Sequence, residues 1–347
     1  MEKRTDWVDY AKGIGIILVV YGHVARGLFD AGINIPESFY RLSDSIIYSF
    51  HMPLFFFLSG MFFYSSFKNR GPIKLINSKI DTIVYPYLLW SILQGGIEVG
   101  LSNFTNGSSN LSEVFGLLWN PRAQFWFLYA LFSCFILSTA IYMFVNEKMT
   151  KWLLILFIFI YLDPLNLMFF NNTIFIVNDI KNYFLYFLFG VQYQLINQKI
   201  LLDRGLNVFI LGLLFICLQY LFHITYEFSY TDKGLFLLFL SFISILFIVS
   251  LSSWLSSKSS KAISYISYLG YGSMAIYLMH ILIGSGARII LINIFNIESL
   301  WIHLAIGVFS GVCIPLIVLY ILKKYKILYV LSAPISHFAY ISRKKND

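Results

Sequence analysis

Of the chain's 347 residues, 59% are hydrophobic and 12% charged, and the mean hydropathy is +0.74. Soluble globular chains carry about 25% charged residues, so this composition excludes an ordinary water-soluble enzyme and predicts an all-α polytopic membrane protein. The net charge of +8 does not require nucleic acid as a partner, because the cations fall where a membrane topology puts them. Cys134, Cys217 and Cys313 all sit in apolar runs without ligand spacing, so neither a disulfide nor a metal site is expected.

Windows apolar enough to span a bilayer at about 20 residues each fall at roughly 11–29, 43–64, 81–101, 124–146, 151–170, 180–197, 204–224, 234–255, 268–294 and 300–322. That makes ten predicted spans. With alternating topology, nineteen Lys and Arg residues collect on the side of the N-terminus and six on the other. The asymmetry places both termini in the cytoplasm. No small-residue cleavage site follows the first apolar run, which is read as an uncleaved span. Residues 1–326 form a transmembrane domain in this reading. Residues 327–347 form a basic, mildly amphipathic cytoplasmic tail on the inner membrane surface. The polar connection 102–123 holds three Asn-X-Ser/Thr triplets, read here as loop chemistry.

Span one, WVDYAKGIGIILVVYGHVAR, is the centre of the functional reading. Eleven helical steps of about 100° return Lys12 and His23 to one face, separated by about 16 Å along the axis. Asp9, one turn before Lys12, offers an ion pair at the cytoplasmic mouth, and anion binding is the other use of that lysine. Gly13, Gly15 and Gly22 let a helix or a slender ligand approach the backbone. A histidine at membrane depth is a functional hypothesis by default, and Arg26 lies one turn beyond it.

Span two, YSFHMPLFFFLSGMFFY, carries His51 two residues before Pro53, which removes a backbone donor and predicts a kink beside a polar cavity. Span three has an intramembrane Pro86 between two tyrosines. Span four opens with Arg122, Gln124 and Trp126, either an interfacial aromatic belt or a carbohydrate-binding rim. Span nine places His280 near mid-membrane and Arg288 outside it. His223, His303 and His337 sit near span ends or in the tail and carry little weight.

Together, W-x-D-Y-x-K-G-I…V-x-x-G-H at 7–23, F-H-M-P-L-F-F-F-L-S-G at 50–60, Y-P-Y at 85–87, F-W-F-L at 125–128 and I-Y-L-x-H at 276–280 resemble the acyltransferase-3 family of integral membrane O-acyltransferases. The likeness is to its fucose-4-O-acetylase-like branch and covers most of the chain. It implies an enzyme of the plasma or inner membrane that takes acetyl-CoA from the cytoplasm and O-acetylates a cell-surface or lipid-linked glycan on the other face. It also implies a basic residue and a histidine spaced as Lys12 and His23 are. Where many relatives carry Arg, this chain has Lys, a point charge and not a bidentate fork.

The residue chemistry fits that implication. A base must remove the hydroxyl proton, and His is the commonest choice near neutral pH. Alternatively, His23 itself takes the acyl group and passes it on. In this reading Lys12 holds the coenzyme phosphates, with Gly13 and Gly15 lining the route of the pantetheine arm. His51 assists His23, and Arg26, Gln124, Trp126 and His280 contact the acceptor. The rival reading is a transporter or exporter with His and Arg along its pathway.

Overall fold

The computed structural model describes residues 6–101, 114–163, 175–196, 205–258 and 260–336, and among them there is no strand. The helices in chain order are α1 (Asp6–Asp30), α2 (Glu37–Tyr48), α3 (His51–Met61), α4 (Phe63–Arg70), α5 (Pro72–Lys79), α6 (Tyr85–Gly100) and α7 (Trp126–Phe144). They continue as α8 (Thr150–Leu162), α9 (Phe175–Leu195), α10 (Gly205–Tyr220), α11 (Leu235–Ser256), α12 (Lys261–Tyr271), α13 (Ser273–Asn293) and α14 (Leu300–Lys324). The chain is an all-α polytopic membrane protein. Each of the ten apolar windows overlaps a helix, and among the described residues seven segments are long and apolar enough to cross a membrane.

The three other windows differ for visible reasons. Helix α6 continues from α5 through a π turn at Ile80–Val84, and Lys79, Asp81, Gln94 and Glu98 break up its apolar run. Helix α8 stops after 13 residues at Asp163, which is left-handed at φ 45°. Helix α9 carries Asn178, Asp179, Lys181 and Asn182 in its first half. The Asn-X-Ser/Thr triplets of 103–112, Lys3, Arg4, Lys199, Arg204, and the tail from His337 onward with Arg343, Lys344 and Lys345 lie outside the described residues.

The chain forms two compact units. One comprises residues 1–55 and 199–321, the other residues 56–198 and 322–347. In the second unit a layer of aromatic side chains forms the core. Phe63 packs on Phe187, Phe135 and Tyr142 at centroid distances of 5.6, 6.1 and 5.5 Å. Residues beyond α14 are tied to this unit. The Trp90 indole donates to the Val330 carbonyl at 2.8 Å, and the Ser336 amide and hydroxyl both donate to Asp81 at 2.8 Å. The first ten residues of the predicted tail are thus anchored to protein.

In the first unit α1 crosses α12 so closely that the helix backbones touch. A Cβ on Gly13 would overlap the Ile266 carbonyl, and one on Gly270 would overlap the Asp9 carbonyl. Small residues at a crossing allow this approach in an apolar bundle. The break between α2 and α3 is explained by Pro53, which lies in the first turn of α3 where its missing amide costs least. The carbonyl that a continuous helix would have offered to Pro53 belongs to Ser49. It accepts instead from the Ser241 hydroxyl on α11, at 2.6 Å. The predicted kink is a two-residue turn at Ser49–Phe50 within one long helical segment, sealed by a neighbouring helix.

Gly13→Val forces a side chain into the Ile266 backbone and is expected to cost about 1–3 kcal/mol. Thermal unfolding of the ligand-free protein in detergent should show the loss. An unchanged melting temperature would contradict the packing role.

Candidate functional site

The C-terminal third of α1 presents His23, Arg26, Gly27 and Asp30 at i, i+3, i+4 and i+7, one face of a helix. Helix α13 presents His280, Gly284, Ser285 and Arg288 at i, i+4, i+5 and i+8, and His303 comes from the first turn of α14. These side chains line a cavity of about 230 Å³ in the first unit. The His23 and His280 rings lie 5.1 Å apart, tilted by 57°. His23 is half-buried, while His280 and His303 are each 1% exposed.

Hydrogen bonds fix the tautomer of two of these rings. His280 Nδ1 faces the carbonyls of Tyr277 at 2.8 Å and Ile276 at 3.1 Å. A carbonyl only accepts, so Nδ1 carries the proton and Nε2 is left with its lone pair. That Nε2 is buried and has no partner among the described residues. In His303 the roles are reversed. Its Nε2 donates to the Ile297 carbonyl at 2.8 Å, and its buried Nδ1 has no partner among the described residues. Arg288 is 7% exposed, and its Nη1 donates to the Gly27 carbonyl of α1. Arg288 also lines the cavity.

Arg26 is held on three sides. Its Nε and Nη2 donate to the two Asp44 carboxylate oxygens at 2.8 and 2.9 Å, a bidentate pair. The guanidinium carbon lies 3.6 Å from the centre of the Tyr48 ring, a close cation–π contact, and Nη2 donates to the Tyr230 hydroxyl at 3.2 Å. Tyr48 packs edge-on against His51 at 4.4 Å, and His51 Nδ1 donates to the Ile47 carbonyl at 2.7 Å.

Of the residues singled out from sequence, His23, His280 and Arg26 share the cavity wall, and His51 stands behind Arg26 through Tyr48. Lys12 lies on α1 eleven residues before His23, about 16 Å along the axis, and is half-buried. Gly13 and Gly15 were expected along a coenzyme arm, but both sides are filled by protein. Gly13 faces the Ile266 backbone, and a Cβ on Gly15 would sit 3.0 Å from the Phe55 ring. Two residues apart on a helix means about 200° of rotation, so the two glycines never shared a face.

Gln124 and Trp126 belong to the second unit. The Gln124 side chain is buried and donates to Gln94 Oε1 at 2.7 Å, Gln94 donates to Glu98 at 2.8 Å, and Arg122 bonds Glu98 at 2.9 Å. Trp126 packs on Tyr183 at 5.2 Å. In place of the expected external rim, Gln124 belongs to an internal polar chain and Trp126 to an aromatic contact. Sequence reasoning gave no site role to Arg288 and little weight to His303. Arg288 had a signal, since it follows His280 by eight residues on the same helical face. His303 had none, because only the packing of α14 brings it to the cavity.

The acyltransferase domain family, acyltransferase 3, matches residues 5–320. Nodulation protein NolL of Sinorhizobium fredii (strain NBRC 101917 / NGR234) is 28% identical over 154 residues, which is 44% of this chain and 40% of NolL. Nodulation protein NolL of Mesorhizobium japonicum (strain LMG 29417 / CECT 9101 / MAFF 303099) is 28% identical over 153 residues, 42% of this chain and 38% of its own length. The chain therefore aligns with about two fifths of these curated relatives. No solved structure matches it.

Arg26→Lys keeps the charge but loses the fork that grips Asp44. It is expected to destabilise the protein by about 1–3 kcal/mol, the worth of a charged hydrogen bond. A melting temperature equal to wild type would show that the bidentate pair contributes nothing.

Proposed function

The chain belongs to this family of membrane acyltransferases, and from that premise we propose that it moves an acetyl group from acetyl-CoA to a hydroxyl of a glycan or lipid-linked sugar, with His23 at the reacting centre. The observation that carries the reading is the imidazole pair. His280, its proton held on Nδ1 by two carbonyls, offers a desolvated Nε2 lone pair beside His23. We propose that in the reacting complex a His23 N–H turns onto that nitrogen, which leaves the other nitrogen of His23 basic and open to the cavity. His280 is then a positioning residue, in the role that a carboxylate plays behind the histidine of a hydrolase triad.

The chemistry balances without further components. The acceptor oxygen attacks the thioester carbon while its proton passes to His23. The C–S bond breaks, and the coenzyme thiolate leaves with that proton. In the relay version His23 first takes the acetyl group, releasing the thiol, and the hydroxyl then displaces it. Either route develops negative charge on the carbonyl oxygen. A buried guanidinium stabilises such an oxyanion, and Arg288 is the cavity's candidate. Lys12 takes the coenzyme phosphates at the cytoplasmic end of α1, with the acceptor entering from the opposite side. The cation asymmetry supports that orientation, with both termini cytoplasmic in a plasma or inner membrane.

Purified protein in detergent should consume acetyl-CoA. His23→Ala is expected to lower turnover about 10²–10⁴-fold, the usual worth of a general base. Arg288→Met should lower kcat about 10²–10³-fold with little change in KM. His280→Gln, which retains a carbonyl acceptor, should keep more activity than His280→Ala, and Lys12→Ala should mainly raise the KM for acetyl-CoA. Full turnover by His23→Ala would remove the proposed mechanism, and a wild type that neither binds nor consumes acetyl-CoA would remove the donor.

A further inference from the structure

A second depression of about 350 Å³ lies in the first unit, walled by Arg26, Tyr40, Asp44, Ser229, Tyr230 and Thr231. That is within the size range of small-ligand sites. It adjoins the His23 cavity, because Arg26 lines both. Its charge balance is unusual for a site walled by arginine. Both Asp44 oxygens already engage Arg26. Arg41, also on the wall, donates from Nε to Glu37 Oε1 at 2.7 Å. Each cation has its own carboxylate, whereas sites for phosphate or carboxylate ligands present arginine forks to the ligand. What remains for a ligand is aromatic surface and hydroxyl oxygens with spare lone pairs.

The wall is also built and held. The Tyr230 amide donates to the Ser45 hydroxyl at 2.8 Å, and the same oxygen lies 2.8 Å from His223 Nε2 in the turn that ends α10. The Ser229 carbonyl accepts from the Asp232 amide at 2.9 Å, and the Ser229 hydroxyl donates to the Asp232 carboxylate at 3.0 Å. Tyr40 stacks on Phe29 of α1 at 4.2 Å. Buried His223, a residue of no evident role in the sequence, thus fixes a loop that faces Arg26 and Tyr48. A rigid, charge-compensated wall of Tyr, Ser, Thr and Asp is suited to an uncharged polyhydroxylated ring.

We infer that the depression over the Arg26–Asp44 pair is a subsite for an uncharged sugar ring of the acceptor, adjoining the ring whose hydroxyl reaches His23. The inference rests on the acyl-transfer reading and adds to it a location and a charge class.

The test is acetyl transfer by the purified full chain to two soluble acceptors, a neutral methyl disaccharide and its counterpart with one ring replaced by glucuronic acid. Wild type should prefer the neutral acceptor by about tenfold in kcat/KM, the scale of an unfavourable charge contact at a binding surface. Thr231→Lys leaves an unpaired cation on the wall and should shift the ratio toward the glucuronide. Ser229→Lys, at a second, half-buried position of the wall, should shift it the same way and serves if the first variant does not fold. Equal or better use of the glucuronide by wild type overturns the inference, as does a ratio that neither lysine moves. A protein that hydrolyses acetyl-CoA but transfers to neither disaccharide also overturns it and leaves the acyl-transfer reading standing. Failure to consume acetyl-CoA at all sinks that reading instead.

Discussion

Inside an apolar helix bundle a polar atom without a partner costs on the order of 1–3 kcal/mol, and the first unit meets that constraint nearly everywhere along α1, α2 and α3. Ser241 takes the carbonyl that Pro53 leaves idle. Asp44, Tyr48 and Tyr230 enclose Arg26, and a backbone carbonyl takes the Nδ1 proton of His51. His280 Nε2 and His303 Nδ1 stand against this background as buried lone pairs beside one cavity, without a partner among the described residues. Buried groups held in that state are candidates for function, because packing alone would have replaced them with apolar side chains.

The same constraint explains how the site is assembled. Two helices contribute polar residues at helical spacing, so the cavity is written into α1 and α13 as matching faces. Close approach elsewhere lets those faces meet. The crossing of α1 over α12 at Gly13 and Gly270 sets the seat of α1, and the break before Pro53 turns His51 and Tyr48 toward Arg26. Glycine and proline here act as geometry, while histidine and arginine supply the chemistry.

This division also marks what the sequence could and could not convey. Hydropathy located the seven long apolar helices, since a bilayer demands long apolar runs whatever their packing, but it did not mark α5, which is short and polar. Periodicity within one helix placed His23 with Arg26, because both residues share a rigid element. Relations between helices are different, since they depend on packing that leaves no local pattern. The sequence therefore assigned Gly13 and Gly15 to a ligand where protein backbone and the Phe55 ring stand, and placed Gln124 on an open rim where it lies buried against Gln94. It passed over His303 and the His223–Ser45–Tyr230 link, which join residues far apart in the chain. The motifs resembling the acyltransferase-3 family supplied what periodicity lacked, and the family match over residues 5–320 agrees with them.

The central claim is that a nitrogen of His23 handles the proton or the acyl group. Chemical rescue tests it most directly, by following acetyl transfer in His23→Ala with and without free imidazole. The account predicts that the substitution abolishes transfer, and that imidazole, small enough for the vacated cavity, restores part of it in proportion to its concentration. Transfer by His23→Ala at the wild-type rate without imidazole would contradict the account and move the chemistry to another residue.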